Sequence, residues 1–287
     1  MPAKSRTYQP ARVRAALVAQ SAALRAAVHR LTAADLDRPT RLGQWRVREL
    51  VAHLAVQLAW LPAHLDDPLE GRPPLDLSQW TARVAAIAPL LDEQARARTA
   101  DEFAGDPASV AAAFDRAVEA LAAALERPET ADPARRFEIR LGSMPLTDFL
   151  VTRLVEAVVH ADDLADALGP EPFPHDRQAV AAVTRMLADA FAQRVPGGAV
   201  ELRVPPYAVV QGVEGPRHTR GTPPNVVETD PLTWIRLATG RTGWAEAVDA
   251  AAVSAGGERS DLRAYLPLLG STPFWRGPVQ GTDGPLR

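Results

Sequence analysis

The sequence predicts a helical bundle followed by a smaller α+β domain. Three observations carry this. Apolar residues recur at helical spacing through most of the first 170 positions. Prolines cluster at Pro170, Pro172 and Pro174, where the pattern changes. Beyond them, "AVELRVPPYAVVQGV" and "NVVETD" alternate or cluster β-branched residues, as strands do. The expected boundaries are 8–170 for the bundle, 175–270 for the α+β domain and 271–287 for a surface tail.

Each element has its own signal. Val13, Leu17, Leu24, Val28 and Leu31 mark one apolar face, predicting a helix over 10–31. "TAADLDRPTRLGQW" is a polar connector broken by Pro39 and Gly43. "RVRELVAHLAVQLAWL" predicts a second helix ending near Pro62, followed by the Pro-rich loop "DDPLEGRPPLDLSQW". "WTARVAAIAPLLDEQARART" and "DPASVAAAFDRAVEALAAALE" predict two more helices, the latter opened by Asp106 as cap and Pro107 at the first helical position. "RRFEIRLGSMPL" is extended with a turn. "LVTRLVEAVVHADDLADALG" is a long helix stopped by Gly169-Pro170. After a helix over 176–194 come the strands, then a helix opened by Asp230-Pro231 and closed by Gly240, and a helix, short strand and helix to Gly270.

The 287 residues carry a formal net charge of −3, which gives no basic footprint for nucleic acid. There is no cysteine, so neither disulfides nor thiolate metal sites can form. Lys4 is the only lysine among 32 basic residues, a bias that suits a GC-rich genome. No apolar run approaches the roughly 20 residues of a membrane span, and no signal peptide is visible, so a cytoplasmic protein is expected.

Glu156 and His160 stand four residues apart within Leu154, Val155, Val158 and Val159. Four residues turn an α-helix through about 400°, so both side chains share one face. A carboxylate in an apolar run is costly unless it is paired or binds a cation. The pair is therefore either a satisfied polar contact or two ligands of one metal. A third ligand must come from another helix, and His53, also within an apolar run, is the candidate. Two histidines and one carboxylate leave a coordination position open, as catalytic sites do. His53 taken alone reads as a satisfied core histidine before it reads as a ligand. His64 lies eleven residues on, and Pro62 should break the shared face. His29, His175 and His218 sit in polar or loop settings and read as solvated. Trp45, Trp60 and Trp80 read as packing residues. "VVQGVEGPRHTRG" suggests an anion-binding turn, but its irregular glycine spacing reads rather as a hairpin loop.

"LTAADLDRPTRLGQWRVRELVAHLAV" followed by "LVEAVVHADDLADALG" resembles the mycothiol-dependent maleylpyruvate isomerase family, within the DinB-like group of metal-binding four-helix bundles. The matching positions are Trp45, His53, Glu156, His160 and Asp163-Leu164. "DPLTWIRLATGR" and "AAAVSAGGERSDLRAYLPLLG" are similar to the sterol-carrier-like C-terminal domain of many such proteins. The resemblance implies that His53, Glu156 and His160 ligate a divalent metal, usually taken as zinc, and that mycothiol is the cosubstrate. Arg46 departs from the family's usual Ser or Thr after the Trp, at the expense of a helix cap.

On that reading the thiol is imported. It adds to an activated double bond, and rotation followed by elimination gives isomerisation, whereas retention of the adduct gives S-transfer. Two alternatives stay open, a non-catalytic metal-binding bundle and a carrier of apolar ligands through the C-terminal domain. Arg241 reads as a solvated loop arginine, or as a residue facing an anionic substrate.

Overall fold

A computed structural model describes residues 6–169, 171–215 and 224–269. His218 and the tail over 271–287 lie outside the described residues. Four long helices form the bundle: α1 (Pro10–Val28), α3 (Val47–His64), α6 (Pro107–Glu126) and α7 (Leu146–Leu168). They pack in a ring, α1 against α6 and α7, and α3 against the same two. A short α2 (Ala33–Leu36) precedes α3, while α4 (Leu77–Arg83) and α5 (Ala88–Asp101) lie between α3 and α6 in sequence.

Two helix boundaries differ from the sequence reading. Helix α3 runs through Pro62 to His64. Pro62 falls in the last turn, where its missing N–H and its clash with the preceding carbonyl disturb little that follows. The expected single helix over 80–99 is interrupted by a 3₁₀ turn at Val84–Ile87, after which Pro89 opens α5 within its first turn. The missing cap at Arg46 is half replaced, because the Glu49 carboxylate accepts the Arg46 backbone N–H at 2.8 Å.

A hairpin, β1 (Arg136–Ile139) with β2 (Gly142–Pro145), delivers the chain to α7. Helix α7 is buried along nearly its whole length. Helix α8 (Arg177–Arg194) packs on α7, α1 and α9 (Pro231–Ala238) and against the second sheet. That sheet contains β3 (Val200–Val204), β4 (Ala208–Gly212), β5 (Val226–Thr229) and β6 (Val253–Gly256), in the order β4-β3-β5-β6, with only β3 and β5 parallel. Gly212 fixes the contact of β4 with α8: a Cβ there would lie 2.7 Å from the Phe191 ring. The stretch after α10 (Trp244–Asp249) and β6 closes with a 3₁₀ turn at Arg263–Tyr265 in place of the expected helix, and Pro267 follows at once. No helix among the described residues is long and apolar enough to cross a membrane.

His175 is not solvated. Its Nδ1 accepts from Gln20 Nε2 at 3.2 Å, and Gln20, fully buried, also donates to Ala157 O and accepts from the Asp176 N–H. One buried amide thus ties α1 to α7 and to the start of α8. Burial lowers the His175 pKa from 6.5 to about 4, which keeps the ring neutral. Its folded value lies below its unfolded one, so the unfolded chain binds the extra proton, and stability is lost as pH falls from about 6.5 toward about 4. His175→Gln should flatten this acid limb. Urea melts at about pH 7 and about pH 4.5 should show a wild-type loss larger than the variant's by about 2 kcal/mol; equal losses would mean that the ring is not buried neutral.

Candidate metal centre

His53 stands on α3, and Glu156 and His160 on α7, where the two helices face each other at the centre of the bundle. The Glu156 Oε2 lies 3.3 Å from His53 Nε2 and 3.3 Å from His160 Nε2. One donor atom from each residue lies within 4.8 Å of the other two, and all three residues are buried. The imidazole rings meet edge to face with centroids 4.8 Å apart, and Trp45 packs on His53 at 5.1 Å. The one-face spacing on α7 brings Glu156 and His160 together, and the α3–α7 packing brings His53.

His64, although α3 is continuous, lies eleven residues away, about 16 Å along the axis. It stacks on Trp60 and pairs with Asp67 at 2.8 Å. Distance along the helix, not a broken register, keeps it from the centre. His29 pairs with Asp115 at the half-exposed end of α1. Trp45 and Trp80 are core residues, as read from sequence.

A layer of charge lies behind the cluster. His160 Nδ1 is 2.8 Å from Asp163 Oδ2. Asp163 is fully buried and accepts from Arg41 Nε at 2.6 Å and from Arg241 Nη2 at 2.7 Å. Its neighbour Asp162 accepts from Arg41 Nη2 at 2.7 Å and from Arg236 Nη2 at 2.5 Å. Arg241 is therefore not a solvated loop residue: its side chain is 1% exposed and ion-paired. Arg153, one turn before Glu156, is also buried and donates to Gln57 and Thr152. Of these residues the sequence offered one signal, since Asp163 follows His160 by three and so shares its face. Arg41, in the polar connector, and Arg236, on α9, reach Asp162 only through tertiary packing.

These contacts set the protonation pattern. Burial pushes Asp163 up, but Arg241 and the His160 hydrogen bond outweigh it and hold the carboxyl well below its usual range. Burial likewise opposes ionisation of Glu156, yet hydrogen bonds from His160 and His53 hold its carboxyl below the usual range. Burial lowers the pKa of His53 to about 4, so its ring is neutral. His160 is also disfavoured as a cation by burial, but Asp163 and Glu156 on its two sides raise its pKa. An ionised Asp163 accepts the hydrogen bond of His160 Nδ1–H, which turns Nε2 toward Glu156 and His53.

Two imidazole nitrogens and one carboxylate oxygen form the donor set that borderline divalent cations such as zinc take, and the carboxylate behind His160 is the support such ligands have. Leu154, Val155, Val158 and Val159, the neighbours of the two ligands along α7, are all buried. The residues fit the group.

A family model described as the mycothiol maleylpyruvate isomerase N-terminal domain matches residues 17–165. One described as a bacterial SCP ortholog matches residues 176–268. The crystal structure of the mycothiol-dependent maleylpyruvate isomerase superposes with a TM-score of 0.58 at 16% identity, covering 88% of this chain and 96% of that chain. The structure of a histidine-to-alanine mutant of that enzyme superposes with a TM-score of 0.56 at the same identity and coverage. At this identity the likeness is one of fold. No curated protein matches the chain significantly.

If Asp163 orients His160, Asp163→Asn should weaken divalent-metal binding about 10–100-fold, read by competition with a chromogenic chelator. His64→Ala should leave the affinity unchanged. Equal affinities in wild type and Asp163→Asn would show that the carboxylate does not support the ligand.

Proposed function

The chain belongs to the mycothiol maleylpyruvate isomerase family, and on that premise we propose that it is a thiol-dependent isomerase, or an S-transferase of the same type, that works at a divalent metal centre. We assign the metal, zinc by donor type, to His53, Glu156 and His160, the bundle to residues 8–170, and mycothiol, a small-molecule cosubstrate, to the coordination position that three ligands leave. The second domain, 175–270, supplies arginines behind it. The reaction belongs in the cytoplasm, where small thiols stay reduced.

The observation that carries this reading is the buried His–Glu–His cluster in a chain without cysteine. Since no side chain can be the thiol, the nucleophile is imported. Bound at this cluster, a divalent cation supplies Lewis acidity that favours the thiolate form of a thiol. The protein's own groups prepare the place. Asp163 keeps a proton on His160 Nδ1, so Nε2 is the nitrogen that would be given to a cation, its own proton displaced. Arg41 and Arg241 keep Asp163 ionised. His53, neutral by burial, would need only to shift its single proton to Nδ1 to offer Nε2 to a cation. Glu156 contributes the single negative charge of the ligand set. The buried aliphatic side chains of α7 exclude water, which would compete with the thiol.

Elemental analysis and a thiol titration test the reading together. Wild type and His64→Ala should each retain one metal ion, and His53→Ala and His160→Ala should lose it. In the cobalt-loaded wild type, added mycothiol should produce a thiolate charge-transfer band. Retention of metal by His160→Ala, or no band and no thiol-dependent turnover of activated alkenes, would overturn it.

A further inference from the structure

A cleft of about 370 Å³ opens where the N-terminal residues, α1, α8 and the β3–β4 turn meet. It thus lies between the bundle and the sheet, a common position for ligand sites. Its walls present Arg6, Tyr8, Arg12, Gln178, Arg185 and Tyr207, and none of its lining residues is acidic. The Arg6 guanidinium is neutralised by Asp189, at 3.0 and 3.2 Å. Arg12 and Arg185 have no carboxylate partner among the described residues. Two positive charges are therefore left over in one concave space.

Arg185 is held for use. Its Nε donates to the Tyr207 carbonyl at 3.1 Å, and its guanidinium lies 5.6 Å from the Tyr207 ring centroid. Both contacts hold the guanidinium and use only its Nε, so little conformational freedom is lost when the terminal nitrogens bind a ligand. Helix α1 begins at the same place. Its N-cap, Gln9, makes no side-chain cap, and no acidic residue stands in its first turn. The positive end of a 19-residue helix thus adds to the field of the two arginines. The neighbouring phenols and amides suit the polar body of an organic molecule, Tyr8 OH being spent on the Ala182 carbonyl at 3.5 Å.

We infer that this cleft binds a small organic molecule with a doubly charged anionic head, a phosphate monoester or a paired carboxylate. The site is separate from the His53–Glu156–His160 cluster and shares none of its residues.

Calorimetric titrations of the full chain with inorganic phosphate, glycerol phosphate and malonate test this, each against chloride at equal ionic strength. At least one dianion should bind wild type in preference to chloride, and the preferred one tells the phosphate source from the carboxylate source. Arg12 is exposed, so Arg12→Glu should fold normally and weaken that binding about tenfold or more. Arg185→Gln should weaken it similarly, whereas His53→Ala, altered only at the other site, should bind as wild type does. No dianion binding beyond chloride, equal binding by Arg12→Glu, or loss of binding in His53→Ala would overturn the inference.

Discussion

Asp163 is the constraint on which the arrangement depends. It is a fully buried carboxylate, and an uncompensated charge at such a place costs several kcal/mol. Its compensation comes from three directions: His160 on its own helix, Arg41 from the connector before α3, and Arg241 from beyond α9. Satisfying one carboxylate therefore orients a candidate metal ligand and also draws the sheet-bearing half of the chain onto the bundle. Asp162 repeats the device at shorter reach, held by Arg41 and Arg236. Arg41 serves both carboxylates, so the connector between the first two long helices is tied to α7.

This network separates two kinds of energy. The apolar surface of α7 holds the helix in the bundle, in the ordinary way of a core element. The ionic layer adds little to that stability, because desolvation offsets much of what buried pairs gain. What it adds is orientation. Replacing the whole network by apolar residues could leave a folded bundle, but His160 would then have no reason to present Nε2 to Glu156 and His53.

The parts of this that were legible from sequence are those that obey local rules. Glu156 and His160 were visible because helical spacing puts i and i+4 on one face, and His53 because it interrupts an apolar run. Asp163 obeys the same rule at i+3, but its function depends on arginines about 80 to 120 positions away, which no local pattern announces. Arg241 illustrates the failure: a basic residue between two short helices reads as solvent-facing, and only the docking of α9 shows it buried. Pro62 and His175 fail for a related reason. Proline in a last helical turn and histidine in a Pro-rich linker have average tendencies that packing overrode here. The bundle-then-sheet order survived because it rests on many residues at once.

The absence of cysteine makes the central claim unusually easy to test. The proposed ligand set contains only nitrogen and oxygen, so any close sulfur at the metal must come from the imported thiol. X-ray absorption on the zinc-loaded chain reads this directly. The account predicts a shell of nitrogen and oxygen alone near 2.0–2.2 Å in the free protein, and a new sulfur scatterer near 2.3 Å when mycothiol is added. A spectrum unchanged by the thiol would contradict it, leaving a metal that stabilises the bundle without taking part in thiol chemistry.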